Sequence, residues 1–186
     1  MKDNQGFTLI ELIIVMIIMT ILAGGAMLGV NTLFTGSAQT SMERVKAMLN
    51  LVRTENMSKE KNYFLSIEED QGKYYLLKRI KDNTPEALEE TVSRVALDLR
   101  QGEISYWDET MNEGEAPILV HRDPVPGRNT SPQLTVCFSK DSGNFIAYRE
   151  HPSDVPTPIV TAIQIEAMGR SYVIHLVKET GKYYVE

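Results

Sequence analysis

Between Glu11 and Glu43 the chain carries no Asp, Glu, Lys or Arg. Leu9 to Val30 is a run of Leu, Ile, Val, Met and Ala interrupted only by Glu11, Thr20 and glycines, and roughly 20 such residues suffice to span a bilayer as a helix. The pattern therefore predicts a membrane-spanning segment over about 9–30. A secretory signal peptide would need a basic approach, an apolar stretch of about 7 to 15 residues and a small-residue cleavage site behind it. Here Asp3 offsets Lys2, the run is too long, and an acid sits inside it.

After the polar stretch Asn31 to Thr40 the spacing becomes that of an amphipathic helix. Met42, Val45, Leu49, Val52 and Asn56 fall on one stripe, Met48 and Leu51 lie beside it, and Arg44, Lys46, Arg53 and Glu55 populate the other side. No proline precedes Pro85, so nothing breaks a helix from Phe7 to about Lys61, although Gly24, Gly25, Gly29 and Gly36 weaken it. At about 1.5 Å per residue such a helix is roughly 80 Å long. One small domain cannot bury it, so its first half must find a membrane or other copies of itself.

From Tyr63 onward, short β-type runs alternate with Gly, Asn, Asp and Pro. Tyr63 to Glu68 and Lys73 to Ile80 flank the turn Asp70-Gln71-Gly72. Gln133 to Ser139 and Asn144 to Arg149 flank Lys140 to Gly143, while Ile159 to Glu166 and Ser171 to Lys178 flank Ala167-Met168-Gly169-Arg170. Three hairpins are expected, followed by a last short run, Lys182 to Val185. Further strands are expected at Glu103 to Trp107 and Ile118 to His121, ahead of a proline-rich surface loop from Asp123 to Pro132. Lys81 to Asp98 reads as a helix or a loop, because Thr84 is a suitable N-cap and Pro85 with the acids after it resembles a first helical turn.

Length and charge narrow the class. With 186 residues there is room for one domain and a specialised segment. The formal net charge of −6 gives a mildly acidic body, which argues against broad nucleic-acid binding through clustered Lys and Arg. Arg122, Arg128 and Lys140 are the candidates for a local basic patch. The single cysteine, Cys137, rules out an intramolecular disulfide and a multi-cysteine metal site.

The segment Gly6-Phe7-Thr8-Leu9-Ile10-Glu11-Leu12-Ile13 and the apolar run behind it resemble the N-terminus of type IV pilins and of the pseudopilins of type II secretion and competence systems. The resemblance implies a leader peptide, 1–6, cut between Gly6 and Phe7 by a membrane prepilin peptidase that also N-methylates Phe7. It places the family's glutamate at Glu11. The later half, from Cys137-Phe138 through Gly143 to the Gly181 turn, looks like the sheet of minor pseudopilins related to the H component of type II secretion and of FimT-type minor pilins. Many Gram-negative members staple their last loop with a disulfide; one cysteine cannot, which suits a pseudopilin, a minor pilin or a Gram-positive pilin.

Physical chemistry gives Glu11 a role within that frame. An acid inside a spanning helix costs about 2.5 to 3.5 kcal/mol on insertion scales and marks function. Cleavage after Gly6 would create an ammonium at Phe7 in the same apolar layer. In a helical stack, that ammonium of one subunit can meet Glu11 of a neighbour and set axial register. The glycines at 24, 25 and 29 serve either to soften the helix or to pack against neighbouring helices. Counting Arg44, Lys46 and Arg53 against Lys2 would retain the large domain in the cytoplasm; the resemblance implies that it is translocated.

The remaining candidates are bland. His121-Arg122-Asp123 lacks the Asn that a kinase catalytic loop carries five residues after its Asp, where Arg128 stands. His151 sits in a turn, His175 alternates with Val173 and Val177, and no two histidines share a metal-ligand spacing. Cys137 reads as a buried, inert thiol.

The expectation is an α+β subunit: a helix over 7–61, spanning the membrane in its first half and packed through Met42, Val45, Leu49 and Val52 against a mainly antiparallel β-rich domain at 62–186. The resemblance implies a structural role without enzymatic activity, cofactor or metal, as a minor pilin or pseudopilin of a type IV pilus or type II secretion-like filament. Its implied partners are the prepilin peptidase/methyltransferase, other pilin or pseudopilin subunits and the inner-membrane assembly platform. It is expected first as a single-pass cytoplasmic-membrane protein with its C-terminal domain outside, and then in a periplasmic or extracellular filament. A competence pilin taking up DNA and a membrane-anchored binding domain that never polymerises are the alternatives.

Overall fold

The computed structural model describes residues 9–82, 84, 88–99, 101–149 and 154–186, and within them leaves out the side chains of 9, 11 and 21–36. Helix α1, Leu9–Ser58, is 50 residues long. It has no proline, and its backbone stays helical through Gly24, Gly25, Gly29 and Gly36. The chain divides inside this helix into two compact units, Met1–Gly36 and Ser37–Glu186.

The second unit joins the rest of α1 to two sheets. One has the order β3 (Glu90–Leu97), β2 (Lys73–Lys81), β1 (Asn62–Asp70), β7 (Gln133–Phe138), β8 (Phe145–Ile146); the other runs β11 (Lys182–Val185), β10 (Arg170–Val177), β9 (Val160–Ala167), β4 (Gly102–Asp108), β5 (Ile118–Val120), β6 (Thr130–Ser131). Among the described residues every pairing is antiparallel except β5 with β6. The hairpins β1–β2 and β9–β10 close through Gln71-Gly72 and Met168-Gly169, all four at positive φ, the twist that two-residue hairpin turns demand.

The stretch left between helix and loop is mostly strand: β3 occupies Glu90–Leu97. Pro85 to Ala87, which carried the helix-start signal, lie outside the described residues. The sequence beyond them, Thr91 to Leu97, alternates like a strand. Val95 pairs with Leu76 and Leu97 with Tyr74, so the pairing buries Leu97 and extends the sheet's inner face, a gain that local propensity does not register.

Both sheets and the helix share one core. Ala38, Met42, Val45, Leu49 and Val52 from α1 join Leu65, Ile67, Leu76, Leu134 and Val136 from the first sheet and Ile104, Ile163, Ile165 and Ile174 from the second. Full burial of each such side chain contributes about 1.5–3 kcal/mol. The Tyr74 hydroxyl is hydrogen-bonded to the backbone of Ile104, tying β2 to β4, and burial pushes its pKa up.

Polar groups fasten the end of the helix. Asn56 continues the apolar stripe yet is buried; its Nδ2 donates to the Phe138 carbonyl at 2.7 Å, and its Oδ1 accepts from the Tyr63 amide at 2.8 Å. One amide thus satisfies both β7 and the start of β1. Beside it, the tips of the β7–β8 and β10–β11 connections meet at two glycines. A Cβ on Gly181 would lie 1.8 Å from the Gly143 carbonyl oxygen, and Arg53 donates to the Thr180 carbonyl at 3.1 Å.

Candidate functional site

The chemistry expected of the N-terminus depends on Gly6, Phe7 and Glu11. Gly6 and Phe7, with the whole leader 1–6, lie outside the described residues. Glu11 falls on the first turn of α1, and its side chain also lies outside them. What can be described is the helix surface just beyond.

Ile10 and every residue from Leu12 to Met19 are large, apolar and 47–66% exposed. A helix that is apolar all round belongs in an apolar surrounding, since no arrangement of one face against a core can cover it. The one polar side chain described here is Thr20, and its hydroxyl donates back to the carbonyls of Met16 at 2.7 Å and Ile17 at 2.9 Å. It therefore presents no unsatisfied donor to an environment without water. Among the described residues no helix is long and apolar enough to cross a membrane; the expected span over 9–30 runs on into residues whose side chains are not described.

The other candidates fall at separate places on the globular unit. His121, Arg122 and Asp123 follow β5 and meet the end of β1. The Arg122 amide donates to Glu69 Oε2 at 3.0 Å and its guanidinium to Asp70 at 3.0 Å. Glu69, a buried carboxylate, also accepts from the Gly72 amide. The trio is thus a fastener of the β1–β2 turn, with Glu69, unremarkable in the sequence, at its centre.

The candidate basic patch does not form. Arg128 pairs with Glu103 at 2.9 Å, Arg122 pairs with Asp70, and Lys140 bonds the Glu60 carbonyl just before β1 begins. Arg122 and Lys140 therefore sit at opposite ends of β1, roughly 30 Å apart at about 3.3 Å per residue. Each charge is spent locally.

His151 lies outside the described residues. His175 stacks on Tyr184 with ring centroids 4.7 Å apart. Cys137 is buried in β7, and burial pushes its thiol far above the ordinary range, so it stays protonated and unreactive at neutral pH. Among the described residues no group of three or more His, Cys, Asp or Glu is placed to hold a metal ion.

Compared with known families, residues 1–27 match the prokaryotic N-terminal methylation motif. The match indicates a type IV pilin-like precursor and supports kinship with the pilins and pseudopilins, a structural group whose members are processed by prepilin peptidase and assemble with one another. No curated protein and no solved structure matches the chain.

Proposed function

We propose that this chain is a minor pilin or pseudopilin: a structural subunit of a type IV pilus or of a type II secretion-like filament, cut between Gly6 and Phe7, N-methylated on Phe7, and registered in the filament by Glu11. The supporting observation is the exposed apolar surface of Ile10 and Leu12 to Met19 lying within the matched motif. A membrane covers that surface in the precursor, and neighbouring α1 helices cover it in the filament.

On this reading the precursor is held in the cytoplasmic membrane by the first part of α1, with the globular unit outside, until the assembly platform extracts it. The globular unit is the filament's exterior. It adheres, pushes secreted protein or contacts other subunits, and the local pairing of Arg122, Arg128 and Lys140 argues against direct capture of DNA.

Intact mass and N-terminal sequencing of the protein recovered from its native host test the processing step. The expected chain begins at a methylated Phe7; retention of Met1 to Gly6 overturns it. For assembly, Glu11→Ala should leave the membrane precursor at its normal level and abolish incorporation into filaments. Normal incorporation would instead fit a membrane-anchored binding domain that never polymerises.

A further inference from the structure

The second sheet turns its outer face to solvent, and one row across it stands out. Register pairs Trp107 of β4 with Ala162 of β9, Ala162 with His175 of β10, and His175 with Tyr184 of β11. Two rings, Trp107 and His175, therefore flank one small side chain, and Tyr184 stands beyond His175. The low point at Ala162 opens a groove of about 530 Å³, floored by Trp107, Ala162, Val173 and His175. The connection after β4 forms one wall, where the Trp107 indole N–H donates to the Glu115 carbonyl at 3.1 Å and fixes the ring. Glu113, from that connection, and Glu186, which follows β11, also line the groove.

The charge of the groove is one-sided. Its described lining holds Asp108, Glu113 and Glu186 and neither Lys nor Arg. Asp108 is engaged by the amide and hydroxyl of Thr110 at 2.9 and 2.6 Å, whereas Glu113 and Glu186 are exposed. His175 Nε2 is shielded from solvent and has no hydrogen-bond partner, with a Glu186 carboxylate oxygen 3.4 Å away.

We infer that this groove is a docking site for an arginine-bearing segment of another protein. A guanidinium is flat and weakly hydrated; it stacks on aromatic rings while its N–H groups reach carboxylates that share the groove. The inference is independent of the assembly reading, because it uses only the globular unit.

Trp107 is the single tryptophan, so intrinsic fluorescence of the full chain in neutral detergent micelles reads the groove directly. The probe is the peptide Ac-Arg-Gly-Arg-amide, with Ac-Gln-Gly-Gln-amide and maltotriose as controls. The expected result is a saturable change in emission, and a shift of the Trp107 indole N–H resonance, with the arginine peptide alone. Affinity should fall about fivefold in Glu113→Gln/Glu186→Gln, as two exposed ion pairs are lost, and weaken with salt. Glu113→Gln alone gives a smaller loss and serves if the double variant misfolds. Absence of both signals, equal affinity in the glutamine variants, or an equal response to the glutamine peptide overturns the proposal; an equal response to maltotriose overturns it in favour of a sugar site.

Discussion

Two stretches of α1 obey opposite rules. Ile10 and Leu12 to Met19 are apolar on every side and exposed; from Ala38 to Asn56 the helix is apolar on one stripe, and that stripe is buried against two sheets. The amphipathic stretch has found its partner in the two sheets, whereas the uniform stretch has no single face for a core to cover. Backbone hydrogen bonding makes both helical, but only one of them stabilises the fold. Stability should therefore reside beyond Ser37, and on the proposed reading association with membrane or filament before Gly36.

The sharpest way to break that division is to damage the globular unit at its tightest point. Gly181 has φ of 61°, and an added Cβ would meet backbone that cannot move aside. Gly181→Ala should cost about 4 kcal/mol or more, at the exceptional end for a single substitution, with thermal unfolding as the measurement. A smaller loss of about 3 kcal/mol is expected for Leu49→Ala, which empties a site 1% exposed in the core. Its counterpart Leu12→Ala, at 58% exposure, should leave the unfolding temperature unchanged and lower recovery in the membrane fraction. Equal destabilisation by the two leucine variants would sink the division.

Much of this was legible because it is local. The stripe Met42, Val45, Leu49, Val52 follows from a period of 3.6 residues, and the Gln71-Gly72 turn follows from a glycine between two alternating runs. The arrangement into two sheets was not legible: β1 pairs with β7 and β4 with β9, and such distant pairings leave no local trace. β3 was missed because a proline and its acids signal a helix start, while the sheet edge that claims Glu90 to Leu97 lies on another strand. Asn56 was visible as a member of the stripe but not as a fastener, since its partners lie 7 and 82 residues away. Of the candidate site, the N-terminal methylation motif matched at residues 1–27 was legible, being a run of adjacent residues. The groove beside Trp107 was not, because three strands, the connection after β4 and Glu186 assemble it.

The smallest effect concerns the polar side of the amphipathic stretch. Glu55 bonds Lys59 within the helix and Lys78 on β2, both at 2.8 Å. Burial alone would raise its carboxyl, but the hydrogen bonds and charges of Lys59 and Lys78 outweigh burial and hold it below the usual carboxylate range. A lowered folded-state pKa means that the unfolded chain takes up the proton first. The contribution is therefore complete above the unfolded value of about 4.3 and is lost as pH falls through the lowered folded value. Glu55→Gln should be less stable than the parent by under about 1 kcal/mol at neutral pH, and the two unfolding curves should converge as pH is taken down through the lowered folded value. Curves that stay parallel to the acid end would show that Glu55 acts through hydrogen bonding alone, and that the polar side of α1 is held to β2 without help from its charge.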